Sequence, residues 1–169
     1  LRRELTGVTA ISAASQQIVR VIYGTQSLPV SVTGTDTDYF TARAWDLASG
    51  RIFTEAEIRS GLSVCVIGET VRKEFFGSGD PNGATIRVNR VTCKVVGLLE
   101  TKGFSGFGQD QDNVVMMPLS TFQRRIAGDR EIETIYISAA DGVPTASVQA
   151  QVETILRGVR RVREDAEDD

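Results

Sequence analysis

One run constrains this chain more than any other: Val64-Cys65-Val66-Ile67-Gly68-Glu69-Thr70-Val71-Arg72-Lys73-Glu74-Phe75-Phe76-Gly77. Its first four residues are apolar, mostly β-branched, and closed by glycine, which predicts a strand buried on both faces. Val71 and Phe75 then fall at i and i+4 on one face of a short helix. Gly77 stands where a left-handed residue would end that helix. A phosphate-binding loop at the turn would need further glycines and a lysine, and Glu69 would repel an anion. The strand–turn–helix therefore reads as packing, not chemistry.

At 169 residues the chain suits one ordinary domain, or two small lobes sharing a core. A hydrophobic content of 41% with 24% charged residues excludes wholesale disorder. The formal charge of −3 argues against a nucleic-acid binder. There is no histidine, which removes the commonest general base and the commonest zinc ligand. A hydrolase using Asp110, Asp112 or Glu69 with a serine has no nucleophile motif behind it. The chain is read as non-enzymatic, with no cofactor.

Cys65 and Cys93 each interrupt an apolar, strand-like run. They read as two small core residues, or as a disulfide if their strands are neighbours in an oxidising compartment. No apolar run approaches the roughly 18 residues of a spanning helix, and no signal peptide opens the chain. The chain starts at Leu1 and ends in Arg163-Glu164-Asp165-Ala166-Glu167-Asp168-Asp169, so it reads as a segment of a longer protein.

Taken in order, Leu1 to Gly7 is polar and reads as a frayed end or the remnant of a helix. Two β-patterned runs follow, Val8 to Ser12 and Gln17 to Tyr23. A short link, Gly24-Thr25-Gln26, predicts a hairpin into a strand in which Val30 and Val32 alternate with Ser31 and Thr33. Pro29 confines that strand to an edge or an end. Asp36 or Thr37 is placed to cap a helix entering Tyr39 and Phe40, and the chain then passes Trp45 to a turn at Ser49-Gly50. Thr54 and Glu57 have the spacing of a capping box. After a turn at Gly79-Asp80-Pro81-Asn82-Gly83, a second hairpin links Thr85 to Val88 with Val91 to Leu99 through Asn89-Arg90. Val114 to Met117 is a buried strand, and Leu119, Phe122 and Ile126 mark one helix stopped by Gly128. Ile132 to Ala139 is a final strand. Val148, Val152, Ile155, Leu156 and Val159 form the stripe of a long helix, capped by Thr145, that is expected to cover a sheet. The acidic end reads as a solvated linker.

The long irregular stretch lies at Lys102-Gly103-Phe104-Ser105-Gly106-Phe107-Gly108-Gln109-Asp110-Gln111-Asp112-Asn113. Its glycines predict mobility, and its two phenylalanines have no regular element to bury them; loops of this kind are often functional. Two readings stand: a partner-contact or lid loop built on Phe104, Phe107, Gln109 and Asp110, or simple packing of the rings against the body. Asp110, Asp112 and Asn113 do not fit the EF-hand frame, because the required glycine and bidentate glutamate are missing. No metal is expected.

The order of these words resembles the periplasmic core domain of MacB-type ABC transporter permeases. The words are Val32-Thr33-Gly34-Thr35-Asp36-Thr37-Asp38-Tyr39-Phe40, Leu47-Ala48-Ser49-Gly50-Arg51-Ile52-Phe53, and Val66-Ile67-Gly68 leading to Phe75-Phe76-Gly77. Asp80-Pro81-Asn82-Gly83 with Ile86, Val95-Val96-Gly97-Leu98, and Met117-Pro118-Leu119-Ser120-Thr121-Phe122 with Arg125-Ile126 continue the series. Each word is a strand end or turn; their order and spacing carry the likeness. The resemblance implies an α+β fold of two lobes. A porter-like lobe would come from residues 1–35 and 131–163, an inserted mixed lobe from residues 36–130, and an acidic linker toward a membrane helix from residues 164–169. It also implies a place on the periplasmic or extracellular face of the membrane, as part of an integral membrane protein. Its partners would be a second permease protomer and a periplasmic adaptor (membrane fusion) protein, while ATP hydrolysis would belong to a separate nucleotide-binding domain. The alternative function is a stand-alone module binding a small amphiphile between the lobes, for which a large apolar pocket would speak. The 103–113 loop is not part of the family's general pattern.

Overall fold

The computed structural model of the chain describes residues 4–129 and 131–167. Its elements begin with β1 (Val8–Tyr23), β2 (Gln26–Thr35), α1 (Asp38–Ala42), β3 (Leu47–Gly50), α2 (Glu55–Ser60), β4 (Val64–Ile67) and α3 (Glu69–Phe76). They continue with β5 (Thr85–Val88), β6 (Val91–Leu99), β7 (Val114–Pro118), α4 (Leu119–Phe122), β8 (Thr134–Ala139) and α5 (Thr145–Glu167). The fold is mixed α+β and dominated by its sheet. Of the opening polar stretch, residues 1–3 lie outside the described residues. The acidic run is helical as far as α5 extends, and residues 168 and 169 lie outside the described residues.

The two β-patterned runs at the start form one 16-residue strand. Residues between them stay extended because β1 changes partner midway: Val8 to Ala14 pair with β8, and Ser15 to Tyr23 pair with β2. The remaining pairings, apart from β3 alongside β6, close on themselves in the order β1–β2–β7–β4–β6–β5 and back to β1. The closing seam is short, with only Val21↔Val88 and Ile22↔Arg87 in register. Side chains alternate accordingly, as they must on a pleated wall. Val19, Val21, Val30, Val32, Cys65, Ile67, Ile86, Val88, Cys93, Val95, Val115 and Met117 meet in one core inside the ring, joined by Val71 and Phe75 of α3 and by Phe122 and Ile126. Ala14, Val64, Val66, Val96, Leu99, Val114 and Met116 point outward into a second core, roofed by Tyr39, Phe40, Trp45 and Phe53. β4 is buried at all four positions because both cores claim it.

β7 joins β2 only from Ser31 onward, so Pro29 lies where β2 has a strand on one side alone. The missing N–H costs no ladder bond there. Thr54 caps α2 in a complete capping box with Glu57. The cap expected from Asp36 or Thr37 does not form at α1. Instead Thr37 Oγ1 donates to Glu55 Oε1 at 3.0 Å, and Asp36 accepts from Ser12 Oγ at 2.7 Å. Gly77 takes a positive φ of 59°, but its ψ of −118° places it outside the left-handed helical region expected for it. The helix read through Leu119, Phe122 and Ile126 is α-helical for one turn and continues as a π-helical turn over Gln123–Ala127 before Gly128. α5 departs from expectation as well. Val148 is buried, but Leu156 and Val159 are 42% and 50% exposed, so only the first part of its stripe rests on the described body.

Candidate functional site

The turn after β4 carries no catalytic side chain, yet it holds the loop that follows β6. Gly68 N–H donates to Val114 O at 2.9 Å, and Thr70 N–H donates to Asp112 O at 3.3 Å. A methyl group on Gly68 would lie 2.1 Å from that Asp112 carbonyl, so the approach is open to glycine alone. Thr70 Oγ1 donates to Asp110 Oδ2 at 2.6 Å, and Asp110 Oδ1 accepts from Asp112 N–H at 3.0 Å. The buried Asp112 carboxylate accepts from the N–H groups of Lys102 and Gly103, at 2.8 and 2.9 Å. Both acidic residues therefore serve as internal acceptors that tie the stem of the loop.

The tip is tied too. Gln111 N–H reaches Gly103 O at 3.0 Å, and Ser105 N–H reaches Gln109 O at 2.8 Å. The Ser105 hydroxyl oxygen accepts from the N–H groups of Phe107 and Gln109. Phe104 and Phe107 are held on this frame at 73% and 98% exposure. The rings do not pack against the body, and the packing reading fails for both.

Gln109 and Asp110 have a second neighbourhood. With Gln111, Asn113 and Val114 they wall a cleft of about 460 Å³ beside the loop. Its floor is the outer face of β1 and β2, where Gln16, Ile18, Ser31 and Thr33 point away from the ring core. The roof of the second core stops short of this corner, which leaves Ile18 at 74% exposure. Tyr39, Arg43 and Trp45 form the opposite wall. Trp45 Nε1 donates to Glu100 O at 2.8 Å, fixing the indole. Lys102 Nζ sits 4.7 Å from the Trp45 ring centre and donates to Arg43 O at 2.9 Å. The Arg43 guanidinium lies 5.0 Å from the Tyr136 ring centre. Burial, and then the nearby Arg43 charge, hold the Lys102 ammonium below its ordinary range. Burial pushes the Tyr39 phenol up.

The sequence singled out Gln109 and Asp110 but not Arg43, and it marked Tyr39 only as part of a helix start and Trp45 only as the lead into a turn. A usable signal was present: Ile18 and Ser31 fall on the strand face opposite Val19, Val30 and Val32. Cys65 and Cys93 lie elsewhere, inside the ring on neighbouring strands, as free and fully buried thiols. Burial, with the Cys93 thiol as a second cause, pushes the Cys65 thiol well above its ordinary range. Among the described residues no three metal-ligating side chains lie together, and no helix is long and apolar enough to cross a membrane.

The family model of the MacB-like periplasmic core domain matches residues 1–155. The chain belongs to that family. By family the chain is a MacB-like periplasmic core domain. It is 37% identical to the macrolide export ATP-binding/permease protein MacB of Chlorobium phaeobacteroides, over 86% of this chain and 22% of the relative. It is 33% identical to the pyoverdine export ATP-binding/permease protein PvdT of Pseudomonas aeruginosa, over 87% of this chain and 22% of that protein. The core domain thus spans 22% of the length of these curated relatives. Its fold matches the crystal structure of the periplasmic region of MacB from Actinobacillus actinomycetemcomitans with a TM-score of 0.80 at 19% identity, covering 99% of this chain and 80% of that one. The extracellular domain of the transporter YknZ from Gram-positive bacteria matches with a TM-score of 0.70 at 16% identity, covering 86% and 71%.

Proposed function

We propose that this domain couples ATP-driven movement of membrane helices to export and contacts a periplasmic adaptor protein through its glycine-rich loop. The observation that carries the reading is a loop tied at stem and tip that nevertheless holds Phe104 and Phe107 in solvent. An apolar pair carried on an ordered backbone suits a protein contact, since the loop itself loses little freedom on docking. Gln109 and Asp110 lie at the base of that contact, with Asp110 positioning the loop rather than touching the partner. The two export permeases to which the chain is similar favour a transporter of this kind, and a second permease protomer would complete the working unit.

Within the domain, we assign residues 1–35 and 131–163 to the porter-like lobe and residues 36–130 to the inserted lobe, with β2 and the second half of β1 completing the ring of strands that the inserted lobe supplies. β1 runs from the porter-like lobe into that ring, so movement imposed on the chain ends reaches the ring through one continuous strand. The test is co-purification of the full-length transporter with its cognate adaptor. The Phe104→Ala/Phe107→Ala double variant is expected to retain about a tenth or less of the adaptor, the loss that corresponds to removing a pair of interface anchors. Undiminished co-purification by a variant that still reaches the membrane would refute the contact.

A further inference from the structure

The outer face of the ring carries charge of one sign where β1, β5 and β6 lie side by side. Val21, Val88 and Cys93 face the ring core, so the alternation of the strands turns Arg20, Arg87 and Lys94 outward, and all three are exposed. Arg90, in the turn between β5 and β6, is a fourth exposed cation. Asn89 N–H donates to Arg20 O at 3.2 Å, which sets that turn beside Arg20. The residues in register with these cations are uncharged: Pro29 beside Arg20, Ile22 and Thr92 on either side of Arg87, Thr85 and Val64 on either side of Lys94. A carboxylate in place of Thr85 or Thr92 would make a stabilising cross-strand pair, while the cations by themselves only repel. The wall forgoes that gain in a chain whose formal charge is −3. Among the described residues none of the four cations forms an ion pair, and the one hydrogen bond from their side chains runs from Arg20 Nη1 to Ser27 Oγ at 2.7 Å. The row also continues the surface at the base of the glycine-rich loop. Exposed Ile18 precedes Arg20 on the same face of β1, and Pro29 O, beside Arg20, accepts from Asn113 Nδ2 at 3.0 Å. The loop that displays Phe104 and Phe107 and the cation row therefore border one strip of sheet.

We propose that this row is the charged half of the adaptor contact and receives a carboxylate-bearing strip of the partner protein, with Phe104 and Phe107 as the apolar half. The inference rests on the adaptor reading and adds the partner's charge to it. Continuity with the loop favours a protein over a lipid surface, since aromatic anchors bordered by exposed polar groups are the build of a protein interface. Two guanidinium forks on a flat sheet suit side-chain carboxylates, which they can take two oxygens at a time. Exposed charges at such a rim act on the rate of encounter and its salt dependence, whereas apolar anchors act on residence time.

The test follows association of the full-length transporter, held in nanodiscs, with its cognate adaptor in about 50 mM and about 500 mM NaCl. Arg20→Gln/Arg87→Gln/Lys94→Gln is expected to slow association about tenfold at the lower salt, to change dissociation less than about twofold, and to match the parent at the higher salt. Arg157→Gln/Arg160→Gln/Arg161→Gln removes the same three charges from exposed positions of α5 and should associate at the parent's rate. Phe104→Ala/Phe107→Ala should dissociate faster and keep the parent's salt dependence. A row variant that associates like the parent, or an α5 variant slowed as much as the row variant, would overturn the row and leave the aromatic contact standing. Slowing confined to the row variant, with the phenylalanine variant binding as the parent does, would support the row and refute the aromatic contact. Protection of the Asn89-Arg90 turn from hydrogen exchange when phosphatidylglycerol replaces phosphatidylcholine in the nanodisc, without adaptor, would assign the row to lipid and overturn it.

Discussion

Thr54, Glu57 and Arg51 show how much one short helix asks of single residues. α2 has six residues and buries none of them fully, so its ends must be satisfied locally. Thr54 Oγ1 accepts from Glu57 N–H at 3.2 Å, Glu57 Oε1 accepts from Thr54 N–H at 2.8 Å, and Arg51 donates to both Glu57 oxygens. The Arg51 hydrogen bond, outweighing the opposing effect of burial, lowers the Glu57 carboxyl from 4.5 to about 2. A carboxyl lowered in the folded state stabilises fully above its unfolded value and loses that contribution as pH falls through the folded value. Glu57→Gln is therefore expected to cost ~1 kcal/mol at neutral pH. The difference in melting temperature between variant and parent should shrink as pH falls from 4.5 toward 2, the interval between the two values. A gap independent of pH would place the effect in the cap's geometry and not in the charge. Arg51 is half exposed, so the ion pair itself adds little beyond orienting Glu57.

At the scale of elements, the capping box and the β5–β6 hairpin were plain in the residues because their signals are local. The glycine-rich loop was not, because its order comes from the strand–helix turn at Gly68, 44 residues before Asp112 in the chain. Spacing within residues 102–113 shows acids and glycines; only the fold shows that the acids accept hydrogen bonds from Lys102, Gly103 and Thr70. The same reason hides the cleft, whose walls come from α1, the outer face of β1–β2 and this loop. α5 misled in the opposite way. Its stripe is strong in the sequence, but a stripe states that a face is apolar and not how far a partner extends along it. The loop makes its own prediction. Asp112→Ala removes the acceptor of two backbone N–H groups at a buried position, at a cost of ~2 kcal/mol. Because the loss falls on the stem, hydrogen exchange at Lys102, Gly103 and Gln111 should accelerate at least tenfold. Exchange in β4 and β6 should change far less. Uniform acceleration across the chain would mean that Asp112 supports the whole fold and not the loop.

For the whole molecule the deciding feature is closure. Strand patterns and hairpins were legible, but no residue announces that β1 pairs with both β2 and β5, since ring closure depends on contacts remote in sequence. Closure puts Cys65 and Cys93 at 0% exposure inside the wall, under α3 and the Phe122 turn. A thiol reagent can reach them only after the ring opens. The seam between β1 and β5 is a place where opening would start cheaply, because only two residue pairs hold it, as at the β4–β7 pairing of the same ring. Yet the side chains behind the seam, Val21 and Val88, are fully buried in the same core as both cysteines. Parting the seam would wet that core, so opening should be global. Labelling of the two thiols by a neutral disulfide reagent is accordingly expected to be slow at pH 7. It should accelerate with denaturant along the same slope that circular dichroism gives for complete unfolding. A markedly shallower slope, with labelling ahead of the loss of secondary structure, would show the seam acting as a hinge on its own. Burial and the neighbouring Cys93 thiol hold the Cys65 thiol protonated while the ring is closed, so running the series at pH 7 and pH 9 separates access from ionisation. If access is global, both pH values give the same denaturant slope and differ only by a constant factor.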